Sequence, residues 1–322
     1  MNDHSPSDLE QDEQSQGDLA VVFRTPPKPE IEEYPFQSHY HRRPDGLALH
    51  YLDEGAGRPV IMVHGNPTWS FFWCRLIRDL SPNYRCLVPD HMGMGFSSRP
   101  DEKQYGFRLA DRVADLAALV EHWRLDRPAH LIVHDWGGPI GLSWAAANPE
   151  MVASVTVMNS GTRIPLDYRL PLKLALFKRF TPLGSYLARQ CNLFAWGTAV
   201  FGVKNKLSPA AREGFLAPYR KAEDRLAIAK FVEDIPLDSR HPSYCLLQST
   251  DQALDKLLTD KPFSLVWGLG DFVFNRAVLL DWRKRFPQAP FLALPEAGHY
   301  LMEDEPERVI AFVHQFLKLG GD

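Results

Sequence analysis

Cysteine is scarce in this sequence of 322 residues. The four cysteines are Cys74, Cys86, Cys191 and Cys245, and no two of them form a Cys-x-x-Cys pair. This spacing supports neither a disulfide framework nor a zinc site. We therefore expect four free thiols, buried in a protein of the reducing cytoplasm.

An excess of charge of one sign is also missing, because 36 basic residues face 40 acidic ones for a net charge of -4. A whole-chain balance this mild gives no electrostatic reason to expect nucleic acid or an anionic membrane as a partner. No apolar run reaches the roughly 18–20 residues of a membrane span, and residues 1–18 lack the apolar stretch of a secretory signal. We expect a cytoplasmic protein without a membrane span and leave homo-oligomerisation open.

The distribution of apolar residues divides the chain into three parts. Residues 1–33 are rich in Asp, Glu, Ser, Gln and Pro, too polar to offset the entropy of ordering, and predict a disordered acidic tail. Over residues 34–161 and 246–322, short apolar runs alternate with helical patterns, which predicts a mostly parallel α/β sheet covered by helices on both faces. Residues 162–245 show helical segments and no short β-run, and predict a helical cap over a pocket.

The segment VHDWGG, residues 133–138, lies between a predicted strand and a predicted helix. Small residues after Asp135 permit the sharp turn of a nucleophile elbow, with Val133 replacing the usual first glycine and Asp135 the usual serine. An aspartate that only caps the helix is the alternative. Ligands of open α/β sheets meet the carboxyl ends of the strands, which favours the nucleophile.

Two partners follow in the chain order of this elbow: Asp271 comes after the strand ending at Trp267, and His299 after the strand ending near Leu294. The other place for an acid, residues 159–161, reads NSG and offers no carboxylate. We therefore predict Asp135 as nucleophile, Asp271 as acid and His299 as base.

An aspartate nucleophile suits attack on an sp3 carbon, because the resulting alkyl ester can be hydrolysed by a water that His299 activates. Backbone N–H groups of Asn66 and Trp136 are expected to form the oxyanion hole. Their side chains also offer neutral N–H donors for a departing halide or other anion. A turn before proline for Asn66 and core packing for Trp136 are the alternatives. We expect no cofactor and no metal.

Four segments resemble the haloalkane dehalogenase family of α/β-hydrolases: HGNPTWS (64–70), PDHMGMG (89–95), VHDWGG (133–138) and AGH (297–299). The resemblance spans roughly residue 35 to the C-terminus. It implies Asp135, Asp271 and His299 as the catalytic triad, with Asn66 and Trp136 as the halide-binding pair. An acid after the penultimate strand, together with an asparagine in the halide pair, is similar to the family's third subgroup.

A second resemblance covers the predicted cap. LAPY (216–219), Arg225 and FVEDIPL (231–237) are similar to the β-lactone decarboxylases of bacterial olefin synthesis, which share the aspartate machinery. The two resemblances imply hydrolytic dehalogenation of haloalkanes as the first expectation for function. Decarboxylation of a long-chain β-lactone to an alkene is the alternative. The expected partners are a small apolar substrate and water.

Two rival interpretations remain. Epoxide hydrolases use a similar elbow, with cap tyrosines that donate to the epoxide oxygen, and Tyr168, Tyr186, Tyr219 and Tyr244 are available. Asn66 disfavours this interpretation, because a halide-type donor has no role toward an epoxide. A catalytically dead fold acting as a binding module is disfavoured because Asp135, Asp271 and His299 are all retained.

Overall fold

The computed structural model describes residues 31–163, 165, 168, 171, 175, 178 and 181–319. Residues 1–30, on which most of the predicted tail falls, lie outside this part of the chain. Several residues between 164 and 180, at the start of the predicted cap, also lie outside it.

Eight strands form one mixed sheet in the order β1-β2-β4-β3-β5-β6-β7-β8. Their bounds are β1 His39–Arg42, β2 Ala48–Glu54, β3 Arg58–Val63, β4 Tyr84–Pro89, β5 Ala129–His134, β6 Val152–Met158, β7 Phe263–Gly268 and β8 Phe291–Leu294. The pair β1–β2 and the pair β2–β4 are antiparallel, and all other neighbours are parallel. The predicted fold class, a mostly parallel α/β-hydrolase sheet, is confirmed.

The sequence explains why the central strands are parallel and interior. β5 and β7 are buried along their whole length, so they need apolar cover on both faces, which crossover helices provide. The carboxyl ends of β3, β5, β6 and β7 therefore meet at one edge of the sheet. The loops that follow β3, β5, β7 and the neighbouring parallel strand β8 carry the predicted site residues.

The described residues contain eleven α-helices. Their bounds are α1 Cys74–Leu80, α2 Leu109–Trp123, α3 Gly137–Ala147, α4 Thr181–Gln190, α5 Leu193–Phe201, α6 Pro209–Leu216, α7 Leu226–Glu233, α8 Tyr244–Asp260, α9 Arg276–Arg285, α10 Leu301–Asp304 and α11 Pro306–Leu319. One group, α2, α3 and α8, packs together, and α1 packs with α11. None of the helices among the described residues is long and apolar enough to cross a bilayer.

Helices α4 to α7 lie between β6 and β7 and pack mainly on one another. We call residues 181–243 the helical insert; its described residues form helices and turns without a strand. The next helix, α8, packs on α3 instead and so belongs with the helices of the sheet. The insert thus follows β6 and lies close to the edge where the site residues are expected.

One expectation about the cysteines is wrong. Cys74 and Cys86 are buried free thiols, but Cys191 and Cys245 are exposed. Cys191 follows the last residue of α4, and Cys245 lies in the first turn of α8. Both positions are at helix ends, where a side chain need not face a core.

Candidate active site

Asp135 occupies the turn between β5 and α3 with a left-handed backbone, φ 51°. A non-glycine residue rarely adopts this conformation, which costs about 1–3 kcal/mol unless its surroundings enforce it. Here the Asp135 carbonyl accepts hydrogen bonds from the Gly138 N–H at 2.9 Å and from the Ser160 hydroxyl. A Cβ on Gly137 would lie 2.0 Å from the Val63 carbonyl oxygen, so only glycine permits so sharp a turn.

The carboxylate of Asp135 points to the loop after β3. The backbone N–H of Asn66 donates to Asp135 Oδ1 at 2.6 Å, and the backbone N–H of Trp136 also donates to this carboxylate. A Cβ on Gly65 would lie 2.2 Å from the same Oδ1, so the loop can approach only with glycine at this position. The two N–H groups expected to form an oxyanion hole therefore converge on the Asp135 carboxylate.

His299 lies between the two predicted carboxylates. Its Nδ1 is 2.8 Å from Asp271 Oδ2, and its Nε2 is 3.7 Å from Asp135 Oδ2. All three side chains are buried. Since Asp271 accepts at Nδ1, His299 keeps Nε2 directed at Asp135 and at the space in front of it. The arrangement is that of a base oriented by an acid beside a nucleophile.

Asp271, the predicted acid, accepts hydrogen bonds from groups that the sequence did not indicate. The side-chain amide of Asn159 donates to Asp271 Oδ2 at 2.6 Å, and the backbone N–H groups of Val273 and Phe274 donate to Oδ1 at 2.7 and 3.1 Å. Asn159 has no carboxylate of its own, but its amide holds the carboxylate of Asp271 in the loop after the next strand. Its place directly after β6 was the available signal.

The net effect of burial and neighbouring charges is to raise the pKa values of both Asp135 and His299. Removal from water raises the pKa of Asp135, and His299 and the two backbone donors offset only part of that rise. Burial alone would lower the pKa of His299, but the charges of Asp271 and Asp135 outweigh it and raise the pKa above 6.5. The two aspartates therefore stabilise the imidazolium that forms when His299 accepts a proton.

His134 is a second residue that the sequence analysis missed. Its Nε2 donates to the backbone carbonyl of His299 at 2.9 Å, and its ring stacks on Phe72 with centroids 4.3 Å apart. Because Nε2 faces a carbonyl, it carries the proton; the histidine is neutral, and burial lowers its pKa well below the usual value. His134 thus fixes the backbone of the predicted base from the position next to Asp135.

The loop of His299 also rests on the insert. The Tyr300 N–H donates to the carbonyl of Gly202 at 2.8 Å, and a Cβ on Gly298 would lie 2.7 Å from that same oxygen. Gly202 is the residue directly after α5. The end of α5 and the histidine loop are therefore in backbone contact.

The predicted halide pair is at the site, with one unexpected contact. Asn66 and Trp136 both line the cavity beside Asp135. The Asn66 amide donates through Nδ2 to the carbonyl of Ile228 in α7 at 3.2 Å, which leaves its second N–H for another acceptor. The Trp136 ring packs on Phe231 of α7 with centroids 5.4 Å apart. Both residues are thus oriented by the insert.

A cavity of about 1010 Å³ extends from these residues. Asn66, Asp135, Trp136 and His299 line it, and Asp271 stands behind His299. Most of the remaining wall is apolar and comes from the insert, the start of α8 and the loop after β7: Leu193, Phe194, Trp196, Phe201, Val232, Ile235, Leu247, Phe272 and Phe274. Thr162, Arg163 and Thr198 also line the cavity. A large, mainly apolar space with few polar groups is typical of a binding site for an apolar molecule.

The tyrosines do not form the donor pair that an epoxide would need. Tyr168 lines the cavity, but its hydroxyl donates to the Val273 carbonyl at 3.0 Å. Tyr186 is largely exposed, and Tyr219 is fully buried, with its hydroxyl donating to the Thr68 carbonyl at 3.4 Å. Tyr244 begins α8 and is not among the described residues that line the cavity. This arrangement disfavours the epoxide interpretation.

The acidic side chains at the site are engaged with hydrogen-bond donors. No group of three or more His, Cys, Asp or Glu side chains among the described residues is arranged to hold a metal ion. Asp135 accepts from the two backbone N–H groups of its own turn and of the loop after β3, and Asp271 accepts from Asn159 and faces His299. Each carboxylate is thus held in a fixed orientation by neutral donors or by the imidazole.

The fold and the arrangement of residues at the site define an α/β-hydrolase, and comparison with known proteins identifies the same class. Residues 58–195 match the sequence model of a family described as alpha/beta hydrolase fold. A haloalkane dehalogenase from Agrobacterium tumefaciens superposes with a TM-score of 0.80 over 91% of this chain and 100% of its own, at 22% identity, which supports the shared fold.

Relatives of known name extend over nearly the whole chain. It is 38% identical to a cis-3-alkyl-4-alkyloxetan-2-one decarboxylase from Shewanella oneidensis over 285 residues, 88% of this chain and 89% of that protein. It is 30% identical to haloalkane dehalogenase 2 from Mycobacterium bovis over 290 residues, 88% and 96% of the two chains. The chain therefore belongs to the α/β-hydrolase family, and it is an enzyme of that type, similar in sequence both to decarboxylases of oxetanones and to haloalkane dehalogenases.

Proposed function

We propose that this enzyme decarboxylates cis-3,4-dialkyl β-lactones to alkenes, with Asp135 as the covalent nucleophile. The observation that carries the proposal is the apolar cavity of about 1010 Å³ that ends at the Asp135 carboxylate. This volume is at the upper end of the usual range for ligand pockets, and it suits two alkyl chains better than a small haloalkane. The 38% identity to a decarboxylase of cis-3-alkyl-4-alkyloxetan-2-ones supports the same substrate.

The first step is displacement at the sp3 ring carbon that carries the lactone oxygen. An Asp135 oxygen forms a C–O bond there while the ring C–O bond breaks, so the ring oxygen leaves as part of a free carboxylate. Relief of ring strain assists this step. The Asn66 and Trp136 side chains, which line the cavity beside Asp135, are placed to donate to the departing carboxylate.

The second step regenerates the enzyme without water. The C–C bond to the new carboxylate breaks, carbon dioxide leaves, and the electron pair forms the double bond as the Asp135 ester oxygen departs. The aspartate is released as a carboxylate, and its negative charge is stabilised by the N–H groups of Asn66 and Trp136 and by His299. Inversion in the first step and anti loss in the second convert a cis-lactone into a cis-alkene.

Hydrolytic dehalogenation, the first expectation from the sequence, is the second candidate. It is favoured by the two neutral side-chain donors beside Asp135, which suit a departing halide. In this reaction a water activated by His299 must hydrolyse the alkyl ester of Asp135. In both reactions we assign Asp135 as nucleophile, Asp271 as the acid that orients His299, and the helical insert as a cap over the substrate.

A trapping experiment tests the covalent step. The His299→Phe variant is incubated with a primary bromoalkane and with a long-chain cis-β-lactone, and the peptide that contains Asp135 is examined by mass spectrometry. Because His299 acts after the attack, we expect an alkyl adduct on Asp135 with the bromoalkane, while the lactone still yields alkene, since no water is needed.

Asp135→Asn is the matched control and is expected to abolish both reactions. If His299→Phe shows no adduct with a bromoalkane that the parent enzyme hydrolyses, the covalent mechanism is wrong. If the parent releases halide but forms no alkene from the lactone, dehalogenation replaces decarboxylation as the function.

A further inference from the structure

The charge of this chain is unevenly distributed. Residues 162–212 contain nine lysines and arginines but a single acidic residue, Asp167, although the whole chain has a net charge of -4. Among the six of these that the structure describes, Arg163 pairs with Asp281, and Lys178 donates to the carbonyls of Val232 and Glu233. The segment is therefore a strongly basic region on an otherwise acidic protein.

Three of these basic residues, Lys204, Lys206 and Arg212, are exposed. Lys204 and Lys206 lie in the turn between α5 and α6, and Arg212 lies on α6. Their side chains reach the solvent, so their charge is available to an external partner.

The same region presents large apolar side chains to water. Helix α5 has no charged residue, and its exposed side chains Leu193, Trp196, Val200 and Phe201 follow helical spacing along one face. Trp196 is 49% and Phe201 57% exposed. Exposed apolar residues next to one another mark an interaction surface more often than a solvated one.

This surface surrounds the entrance of the cavity. Leu193, Trp196, Phe201 and Phe272 are partly exposed and also line the cavity. Lys204 lies against the loop of Phe272, because a Cβ on Gly270 would be 2.1 Å from its Cε. Apolar side chains and an exposed lysine therefore border the mouth together.

We propose that this face, formed by α5, by the exposed Leu183 and Tyr186 of the adjacent α4 and by Lys204 to Lys206, docks on an anionic lipid surface. Amphipathic elements that bind membranes combine exposed Trp, Phe and Leu with lysine or arginine, so that apolar side chains enter the interface and cations meet the headgroups. A basic surface also disfavours a second copy of this chain in the same orientation, because like charges would face each other. The near-neutral whole-chain charge, which gave no reason to expect a membrane partner, conceals this local excess.

Docking in this way places the cavity mouth against the lipid. An apolar molecule can then pass from the bilayer to the cavity without crossing water, which lowers the free-energy cost of its transfer. The inference concerns the surface and holds for either candidate substrate.

Vesicle flotation with the full-length chain tests the proposal. We expect binding to mixed phosphatidylcholine–phosphatidylglycerol vesicles, weak binding to pure phosphatidylcholine vesicles, and release at high salt. The double variant Lys204→Gln, Lys206→Gln should reduce partitioning to the mixed vesicles by about tenfold or more. Tyr186→Ser with Val200→Ser, which leaves the cavity lining unchanged, should reduce it severalfold.

The matched controls lie on exposed positions away from this face: Lys256→Gln with Lys284→Gln for charge, and Leu280→Ser for apolar area. They should bind like the parent, and circular dichroism checks that every variant is folded. Absence of binding to anionic vesicles would overturn the proposal, as would equal losses in the controls. Sedimentation that shows a dimer dissociated by Tyr186→Ser with Val200→Ser, without vesicle binding, would instead assign the face to a contact between copies.

Discussion

Asp135 combines a left-handed backbone with a buried carboxylate, and neighbouring residues stabilise both. Glycines at 65 and 137 leave room for the carboxylate and for the turn, and Ser160 and Gly138 hydrogen-bond its carbonyl. The position is thus prepared before any substrate arrives, and the attack that we propose for Asp135 requires no reorganisation of this turn. A side chain larger than hydrogen at residue 65 would displace the carboxylate itself.

Removing the acid should alter both rate and pH dependence. His299 must be neutral to act as a base, so hydrolysis of the alkyl ester falls as pH decreases through its pKa, which the charge of Asp271 raises. Because His299 acts only after the attack, Asp271→Asn should lower kcat with a bromoalkane by about 10³–10⁴. It should also move the acid limb of the pH profile to lower pH, because the charge of Asp271 no longer raises the pKa of His299.

Profiles of kcat against pH for the parent and the variant provide the measurement. The exposed Asp255→Asn substitution serves as control and should leave both rate and profile unchanged. An Asp271→Asn enzyme with near-parental turnover would mean that another group orients His299.

The sequence predicts three catalytic residues but not the side chains that hydrogen-bond to them. Asp135, Asp271 and His299 each follow a strand, and parallel strands bring such positions to one edge. Asn159 lies directly after β6 and His134 ends β5, but their partners Asp271 and His299 come from distant parts of the chain. The position of Asn159 was a signal, whereas the two hydrogen bonds themselves form only on folding and have no local sequence pattern. The contact from Asn66 to Ile228 spans 162 positions and could not be predicted for the same reason.

At the level of elements, long periodic segments were predicted best. Apolar residues recur at helical spacing over residues 109–123 of the sequence, where α2 forms, and residues 84–89 are a short apolar run, where β4 forms. Most of helix α8, by contrast, lies beyond the predicted cap, where the sequence pattern indicates no particular element. Its buried stripe consists of only Thr250, Leu254, Leu257 and Leu258 among polar residues, and it exists because α3 packs against it.

Arg225 connects elements of the helical insert. Its guanidinium donates to the carbonyls of Tyr219 at 2.6 Å, Arg189 at 2.6 Å and Arg220 at 2.5 Å, and so joins the end of α4 to the turn before α7. Arg225→Met leaves these carbonyls without a charged donor, and we expect a loss of about 2–4 kcal/mol in the free energy of unfolding.

Denaturant titration of the parent and the variant measures this loss. Arg220→Met removes only an exposed ion pair with Glu213 and, as the control, should cost less than about 1 kcal/mol. If Arg225→Met unfolds at the parental midpoint, the guanidinium does not stabilise the insert.

The free energy of unfolding of the whole molecule depends on pH through Glu303. It lies on α10 at 3.3 Å from Arg75 of α1, and burial raises its pKa to about 7, with Arg75 offsetting part of the rise. Ionisation of Glu303 therefore costs free energy in the folded state. The resulting destabilisation is absent below pH 4.5, the ordinary pKa of this group, and is fully present above about pH 7. Glu303→Gln should stabilise the protein by about 1–3 kcal/mol at pH values above that range.

Melting temperatures across pH give the measurement. The advantage of Glu303→Gln should shrink as pH falls and disappear near the ordinary pKa of a glutamate. The exposed Glu307→Gln variant on α11 is the control and should follow the parent. A stabilisation that is the same at every pH would show that the effect comes from packing and not from ionisation.

The order of residues along the chain predicted the class of the molecule, but its average charge concealed an asymmetry. The alternation of short apolar runs with helical patterns indicated the α/β sheet correctly, and the motifs after its strands indicated the α/β-hydrolase fold. The net charge is a sum, and a sum cannot report that residues 162–212 are basic and the remainder acidic. Where charge and apolar area lie on the surface is decided by the fold.

The backbone contact between Gly202 and Tyr300 limits how this enzyme can admit a substrate. Helix α5, which borders the entrance, ends directly before Gly202, whose carbonyl accepts from the N–H of Tyr300 in the loop of His299. A wide outward swing of that helix would displace His299, the proposed base, so we expect α5 to stay in place while the substrate enters lengthwise. A flexible alkyl tail can enter in that manner, whereas a rigid, bulky molecule of equal volume cannot, and the enzyme would thus select by cross-section before any chemistry begins.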